Sequence, residues 1–115
     1  MSVTIYHNPK CSKSRQTLDL LGAKGITPTI IEYIKIPPNV EKLKEILSQL
    51  RIAPRDLMRT KEDTYKELEL ENPSLSDKDL IYFMVEHPIL IERPIVIANG
   101  KAAIGRPPEQ VLDIL

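Results

Sequence analysis

A chain of 115 residues, 42% of them apolar, is the size of one ordinary domain with one core. Sixteen basic and sixteen acidic residues cancel, so no net field draws it towards nucleic acid or an anionic membrane. A single cysteine and two histidines exclude an internal disulfide scaffold and a cysteine-rich zinc site. No apolar run reaches the ~18 residues of a membrane helix. The first residues show no basic segment leading into a long apolar one, so a cytoplasmic location is expected. Aromatic residues make up only 4%, which leaves the core to Leu, Ile and Val.

In chain order, Val3-Thr4-Ile5-Tyr6-His7 alternates and is β-branched, which predicts a strand. Asn8-Pro9-Lys10 is a turn, and residues 12–24 follow helical spacing through Leu18 and Leu21. Gly25 stands where a left-handed cap belongs. Residues 28–34 are mostly apolar and predict a second, buried strand, completing a right-handed βαβ unit. Asn39 can cap a helix that carries Val40, Leu43, Ile46, Leu47 and Leu50. Pro54 opens a short helix with Leu57 and Met58, and residues 64–70 make a weaker one. Ser76-Asp77-Lys78-Asp79 is a capping box with Asp in the usual Glu place, heading a helix that Pro88 stops. Ile95-Val96-Ile97 is a short buried strand, and Asn99-Gly100 is a two-residue hairpin signal returning through residues 101–104. Pro107-Pro108 admits a last helix with Val111, Leu112 and Leu115 as its apolar face. The order predicts an α/β fold, βαβ then a β-hairpin and a helix around a mixed sheet. A helical insertion fills about residues 39–87 of a single domain 1–115.

Cys11 falls between strand and helix. The first amides of a helix lack intrahelical partners, and the helix dipole favours negative charge there. A free thiol titrates near ~8.5, but helix N-termini and cations lower that to roughly 3.5–7.5. Cys11 is therefore either a small buried hydrophobe or a reactive thiolate, and its polar neighbours Lys10, Ser12 and Lys13 favour the thiolate. Ser14 completes a Cys-x-x-Ser motif. It cannot resolve a mixed disulfide, though its hydroxyl can donate to the thiolate. His7 can donate to the thiolate, hold a nearby cation, or sit in solvent at the strand end. Arg59, Arg93 and Arg106 each lie beside a break in structure, and spacing alone does not bring them together. Arg15 can share a face with Cys11, with solvent as the alternative for its head.

His7-Asn8-Pro9-Lys10-Cys11-Ser12-Lys13-Ser14-Arg15 resembles the active-site segment of the glutaredoxin-coupled arsenate reductases, the ArsC family. The likeness runs through Thr29-Ile30-Ile31-Glu32-Tyr33, Leu57-Met58-Arg59 and His87-Pro88-Ile89-Leu90-Ile91-Glu92-Arg93-Pro94-Ile95-Val96 to Gly105-Arg106-Pro107. The resemblance implies a thioredoxin-like fold with a helical insertion and a cis peptide before Pro94. It implies that Cys11 is the nucleophile, that His7 keeps the thiol ionised, and that Arg59, Arg93 and Arg106 grip the oxyanion. The candidate catalytic set is thus Cys11 and His7, and the substrate-binding set Arg59, Arg93, Arg106 and Ser14. The implied partners are arsenate or a similar oxyanion, glutathione as co-substrate, and glutaredoxin. No bound cofactor or metal is expected, nor nucleic acid or membrane as partner. Glu92 departs from the pattern by placing a carboxylate beside Arg93, and Glu62 and Asp63 add acid near Arg59.

Two other functions fit parts of the sequence. A general glutathione-dependent thiol oxidoreductase needs Cys11 but not three arginines. Thioredoxin-fold regulators that bind RNA polymerase share an Arg-Pro before the third strand, but many carry a Cys-x-x-Cys switch that Ser14 removes. Phosphatase-like arsenate reductases need an arginine where this chain has Thr17.

Overall fold

The computed structural model describes residues 2–115. The chain divides into two compact units. A sheet unit combines the residues up to Ile36 with Arg93–Leu115, and a helical unit is formed by Pro37–Glu92.

In the sheet unit, β1 (Val3–His7), α1 (Ser12–Ala23) and β2 (Thr29–Glu32) form the expected βαβ, with β1 and β2 parallel. β3 (Ile95–Ala98) pairs antiparallel with β1, and β4 (Lys101–Ile104) antiparallel with β3, giving the sheet order β2-β1-β3-β4. Ala98 faces Lys101 across the hairpin, and both turn residues are left-handed, Asn99 at φ 56° and Gly100 at φ 71°. That is the backbone a type I′ turn requires. The Asn99 amide also donates to the carbonyl of Ile114 at 2.9 Å. α1 ends as its sequence predicts, on Gly25 at φ 76°, with Gly25 N–H bonded to Gly22 O and Ile26 N–H to Leu21 O.

Strand alternation decides what meets α1. Val3, Ile5 and His7 share one face of β1, and Val96 and Ala98 lie opposite on β3. Val3, Ile5, Leu21, Val96, Ala98, Val111 and Ile114 form the unit's core. α1 buries Ser14, Thr17 and Leu21, a stripe at helical spacing. The stripe is therefore polar towards the N-terminal end of the helix, where His7 closes the matching row of β1.

Two expectations need correction here. β2 is shorter than residues 28–34 and is an edge strand, with Thr29 and Ile30 exposed. A β-branched run reports strand formation, not a central place in the sheet. The last helix, Pro108–Ile114, is a 3₁₀ helix, and it buries Pro108, Val111 and Ile114. Three residues per turn put every third side chain inward, so Leu112 and Leu115 are only partly buried. The Arg93–Pro94 peptide is cis, and so is Arg106–Pro107, which the sequence reading did not include.

The helical unit holds α2 (Val40–Leu50), α3 (Pro54–Leu57), α4 (Asp63–Glu67) and α5 (Asp77–Glu86), followed by a 3₁₀ turn at Pro88–Leu90. Asn39 caps α2 by accepting from Lys42 N–H at 2.8 Å, and Leu43, Ile46 and Leu47 are its buried stripe. Ser76 and Asp79 close the capping box of α5 in both directions. α4 is shorter than predicted, because Leu68 ends it and Glu69 turns left-handed at φ 54°. Arg55 fastens that turn, donating to Tyr65 OH, Leu70 O and Asn72 O. No helix among the described residues is long and apolar enough to cross a membrane.

Candidate active site around Cys11

Cys11 is the N-cap of α1, in extended conformation at φ −96° and ψ 124°. Its amide donates to Asn8 O at 3.0 Å, and Asn8 Oδ1 accepts from Lys10 N–H, so the Asn8-Pro9-Lys10 turn is closed upon itself. Arg15, which the sequence reading gave to solvent or to the helix face of Cys11, donates to Pro9 O at 2.9 Å and ties down the same turn. Cys11 as a whole is 9% exposed, and its thiol is free.

Two guanidiniums meet that sulfur. Arg106 Nη2 donates to Cys11 Sγ at 3.4 Å while its Nε donates to the carbonyl of Arg93 at 2.8 Å. Arg93, the residue before the cis proline, donates to the sulfur as well. Burial is the largest influence on Cys11 and pushes its thiol up. The Ser14 backbone amide, the Arg93 hydrogen bond and the charges of Arg93 and Arg106 together outweigh it, and the net direction is down. The Ser14 amide acts as a dipole facing the sulfur rather than as a short capping hydrogen bond. Two guanidiniums turned to the sulfur supply the kind of donors that also suit an oxyanion beside the nucleophile.

His7 acts at one remove. Its Nδ1 lies 2.6 Å from Ser14 Oγ, which also accepts from Asn8 N–H at 3.0 Å. Burial lowers the His7 pKa, Glu32 across the parallel strand pair raises it, and Arg15 lowers it. The net direction is down, so the imidazole is neutral at pH 7. The sequence reading offered His7 as a donor to the thiolate, a holder of a nearby cation or a solvated strand end, and the Ser14 hydroxyl as a donor to the thiolate. The structure instead pairs these two side chains with each other, and it is the Ser14 main chain that faces the sulfur.

Arg59 belongs to the helical unit. Its Nε pairs with Glu62 Oε1 at 3.0 Å and its Nη1 with Glu92 Oε1 at 3.3 Å. The carboxylate of Glu92 thus has Arg59 as a counter-ion, and Glu62 does too. Of the candidate residues, the sheet unit brings together Cys11, His7, Ser14, Arg93 and Arg106.

The sequence reading missed one positioning contact. Gly105 N–H bonds Pro94 O at 2.9 Å, and a Cβ on Gly105 would collide with Thr17 Oγ1 and lie 2.8 Å from Pro94 Cγ. Pro94 follows Arg93 and Gly105 precedes Arg106, so this close approach fixes both arginines relative to α1. The glycine before Arg106-Pro107 was the available signal.

The ArsC family model matches residues 6–114. The chain is 54% identical to the arsenate reductase of Haemophilus influenzae (strain ATCC 51907 / DSM 11121 / KW20 / Rd), over the whole of both proteins. It is 55% identical to the uncharacterised protein YfgD of Escherichia coli (strain K12), over 98% of this chain and 96% of that one. The solved structure of an arsenate reductase from Vibrio cholerae superposes with a TM-score of 0.98 at 59% identity, covering 100% of this chain and 98% of that one. These likenesses and the sheet around Cys11 define a thioredoxin-like protein, and the chain belongs to the ArsC family.

Proposed function

We propose that the chain reduces arsenate to arsenite, with glutathione and glutaredoxin as the thiol reductants. The observation that carries this reading is the pairing of Cys11 Sγ with Arg93 and Arg106. A thiol that only exchanged disulfides would need an ionised sulfur, but not two guanidiniums turned towards it.

On this reading the Cys11 thiolate attacks arsenic(V). A new S–As bond forms, an As–O bond breaks, and the oxygen leaves as water after protonation. Arsenate brings negative charge to a site that already holds a thiolate, and Arg93 and Arg106 offset it. The family resemblance adds Arg59 as a third oxyanion contact. A glutathione thiolate then displaces a second arsenic-bound oxygen, which leaves as water after protonation, and an As–S bond to glutathione forms. A glutaredoxin thiolate attacks the glutathione sulfur, which leaves arsenic with two more electrons as arsenic(III). The oxidised product is a glutathione–glutaredoxin disulfide, and water releases arsenite from Cys11. The outside thiols follow from composition, since Cys11 is the chain's one cysteine and Ser14 cannot form the disulfide. His7, neutral and bonded to Ser14, positions the first turn of α1 rather than transferring a proton to the sulfur.

The test is arsenite production from arsenate with glutathione and glutaredoxin, comparing the wild type with Cys11→Ser. Turnover by the wild type and none by the variant is expected. Equal arsenite from both, or none from either, would refute the assignment.

A further inference from the structure

We propose that Glu62 and Glu92 are specificity-determining residues that act through Arg59, and that they favour a tetrahedral monoanion over a dianion. The inference rests on the reading that Arg59 contacts the oxyanion.

Backbone geometry builds the arrangement. Met58 and Ile91 form an antiparallel bridge, flanked by Arg59 N–H to Leu90 O and Glu92 N–H to Leu57 O, both at 2.8 Å. The two short segments are therefore fixed in register, with Glu92 within reach of Arg59. Glu62 returns to the same arginine through a turn, closed by its own N–H on Arg59 O at 3.2 Å. The three side chains are 23%, 26% and 27% exposed for Arg59, Glu62 and Glu92, so solvent screens their charges only in part.

The carboxylates take Nε and Nη1. Among the described residues Nη2 makes no hydrogen bond, so its donors serve a ligand in a direction set by the two ion pairs. Two carboxylates on one guanidinium remove its surplus positive charge. Arg59 then offers an oriented hydrogen bond without net attraction. A ligand meets the nearby carboxylates once per negative charge it carries, so a second charge doubles the penalty. A bare guanidinium would reward that second charge. A purely structural role, tying residues 57–62 to 90–92, would show no such dependence on ligand charge.

Replacing Glu by Gln keeps an oxygen acceptor for Arg59 and removes the charge. The measurement is an NMR titration of the intact chain with sulfate, a dianion, and perchlorate, a tetrahedral monoanion, followed at the Arg59 Nε–H and the backbone amides. In Glu62→Gln/Glu92→Gln, sulfate should bind about tenfold more tightly than in the wild type and perchlorate about threefold, the difference following charge. Each single variant should show about a threefold gain for sulfate, which keeps the test alive if the double variant does not fold. A sulfate-to-perchlorate preference unchanged in the folded variants overturns the proposal, and so does sulfate binding no better than wild type. Arg59→Ala separates the two levels. If it weakens both anions while the Gln variants change nothing, Arg59 binds oxyanion and only the charge selection fails. If it changes neither, Arg59 has no oxyanion role, and this proposal falls together with that assignment.

Discussion

Arg106 in the sheet unit and Arg59 in the helical unit are the same side chain with different counter-ions. Arg106, with Arg93, faces a thiol, whereas Arg59 faces two carboxylates. A carboxylate is charged at neutral pH with or without a partner, but a thiol is not. An arginine beside a carboxylate therefore stabilises a charge already present. An arginine beside Cys11 creates one, shifting a proton equilibrium against the cost of burial. The first arrangement fixes geometry and the second makes a nucleophile. Counting arginines in the sequence cannot tell the two apart, because the difference lies in what each guanidinium touches.

Removing a guanidinium from the sulfur tests that contrast most severely. Arg106→Ala and Arg93→Ala should each lower kcat for arsenate reduction by a factor on the order of 10²–10³, the loss expected when one donor to a developing charge is deleted. The same variants should shift the pH profile of Cys11 alkylation by iodoacetamide. In the wild type the thiol pKa is lowered, so alkylation should persist below the range of a free thiol and fail only as pH falls through the lowered value. Each Arg variant should move that midpoint upward, because it removes a group that favours the anion. The linked stability has the same sign. The ionised thiol stabilises the fold above the pKa of the unfolded thiol, and that contribution disappears as pH falls through the folded one. If midpoint and turnover are unchanged in Arg106→Ala, the contrast between the two arginines is broken.

The sequence shows the frame better than the site, for physical reasons. Short-range signals report short-range structure, so Asn99-Gly100, the Ser76–Asp79 box, Asn39 and Gly25 all mark turns and caps that the structure contains. β2 was harder, because its Ile-rich run describes a strand but not the edge position, which depends on the order in which distant strands pair. The face of the last helix was misjudged because a 3.6-residue period was assumed where the chain adopts three. Within the site, Cys11 at a helix start was legible from its neighbours. The approach of Arg93 and Arg106 to it joins residues 82 and 95 positions away and follows from sheet topology, which spacing does not encode. For Ser14 and His7, both polar and nearby, the sequence offers contact with the sulfur as one reading among others. Their positions on the facing buried rows of α1 and β1 pair them with each other instead.

That pairing supports a smaller prediction on the sheet side of the comparison. Ser14 is fully buried, and its hydroxyl serves both His7 Nδ1 and Asn8 N–H. Ser14→Ala leaves these groups without their partner and should cost about 1–3 kcal/mol in chemical denaturation. It keeps the residue 14 amide, so the thiol midpoint should move less than in Arg106→Ala. A midpoint shift as large as that of the arginine variant would mean that the hydroxyl, not the main chain, is what ionises the sulfur.

The smallest effect lies in the helical unit, far from any thiol chemistry. Ser76 Oγ accepts from Asp79 N–H at 3.2 Å, and Asp79 Oδ2 accepts from Ser76 N–H at 3.0 Å. Ser76→Ala removes the first of these and should cost about 1 kcal/mol of stability, the usual value of an N-cap. The alkylation profile of Cys11 should be unaltered, since none of the groups that shift this thiol lies on α5. Loss of stability with an unchanged thiol separates the groups that hold the fold from those that ionise Cys11. A shifted midpoint in Ser76→Ala would show that the thiol senses the stability of the fold as a whole, and the Arg93 and Arg106 variants would then need the same correction before their shifts could be assigned to charge.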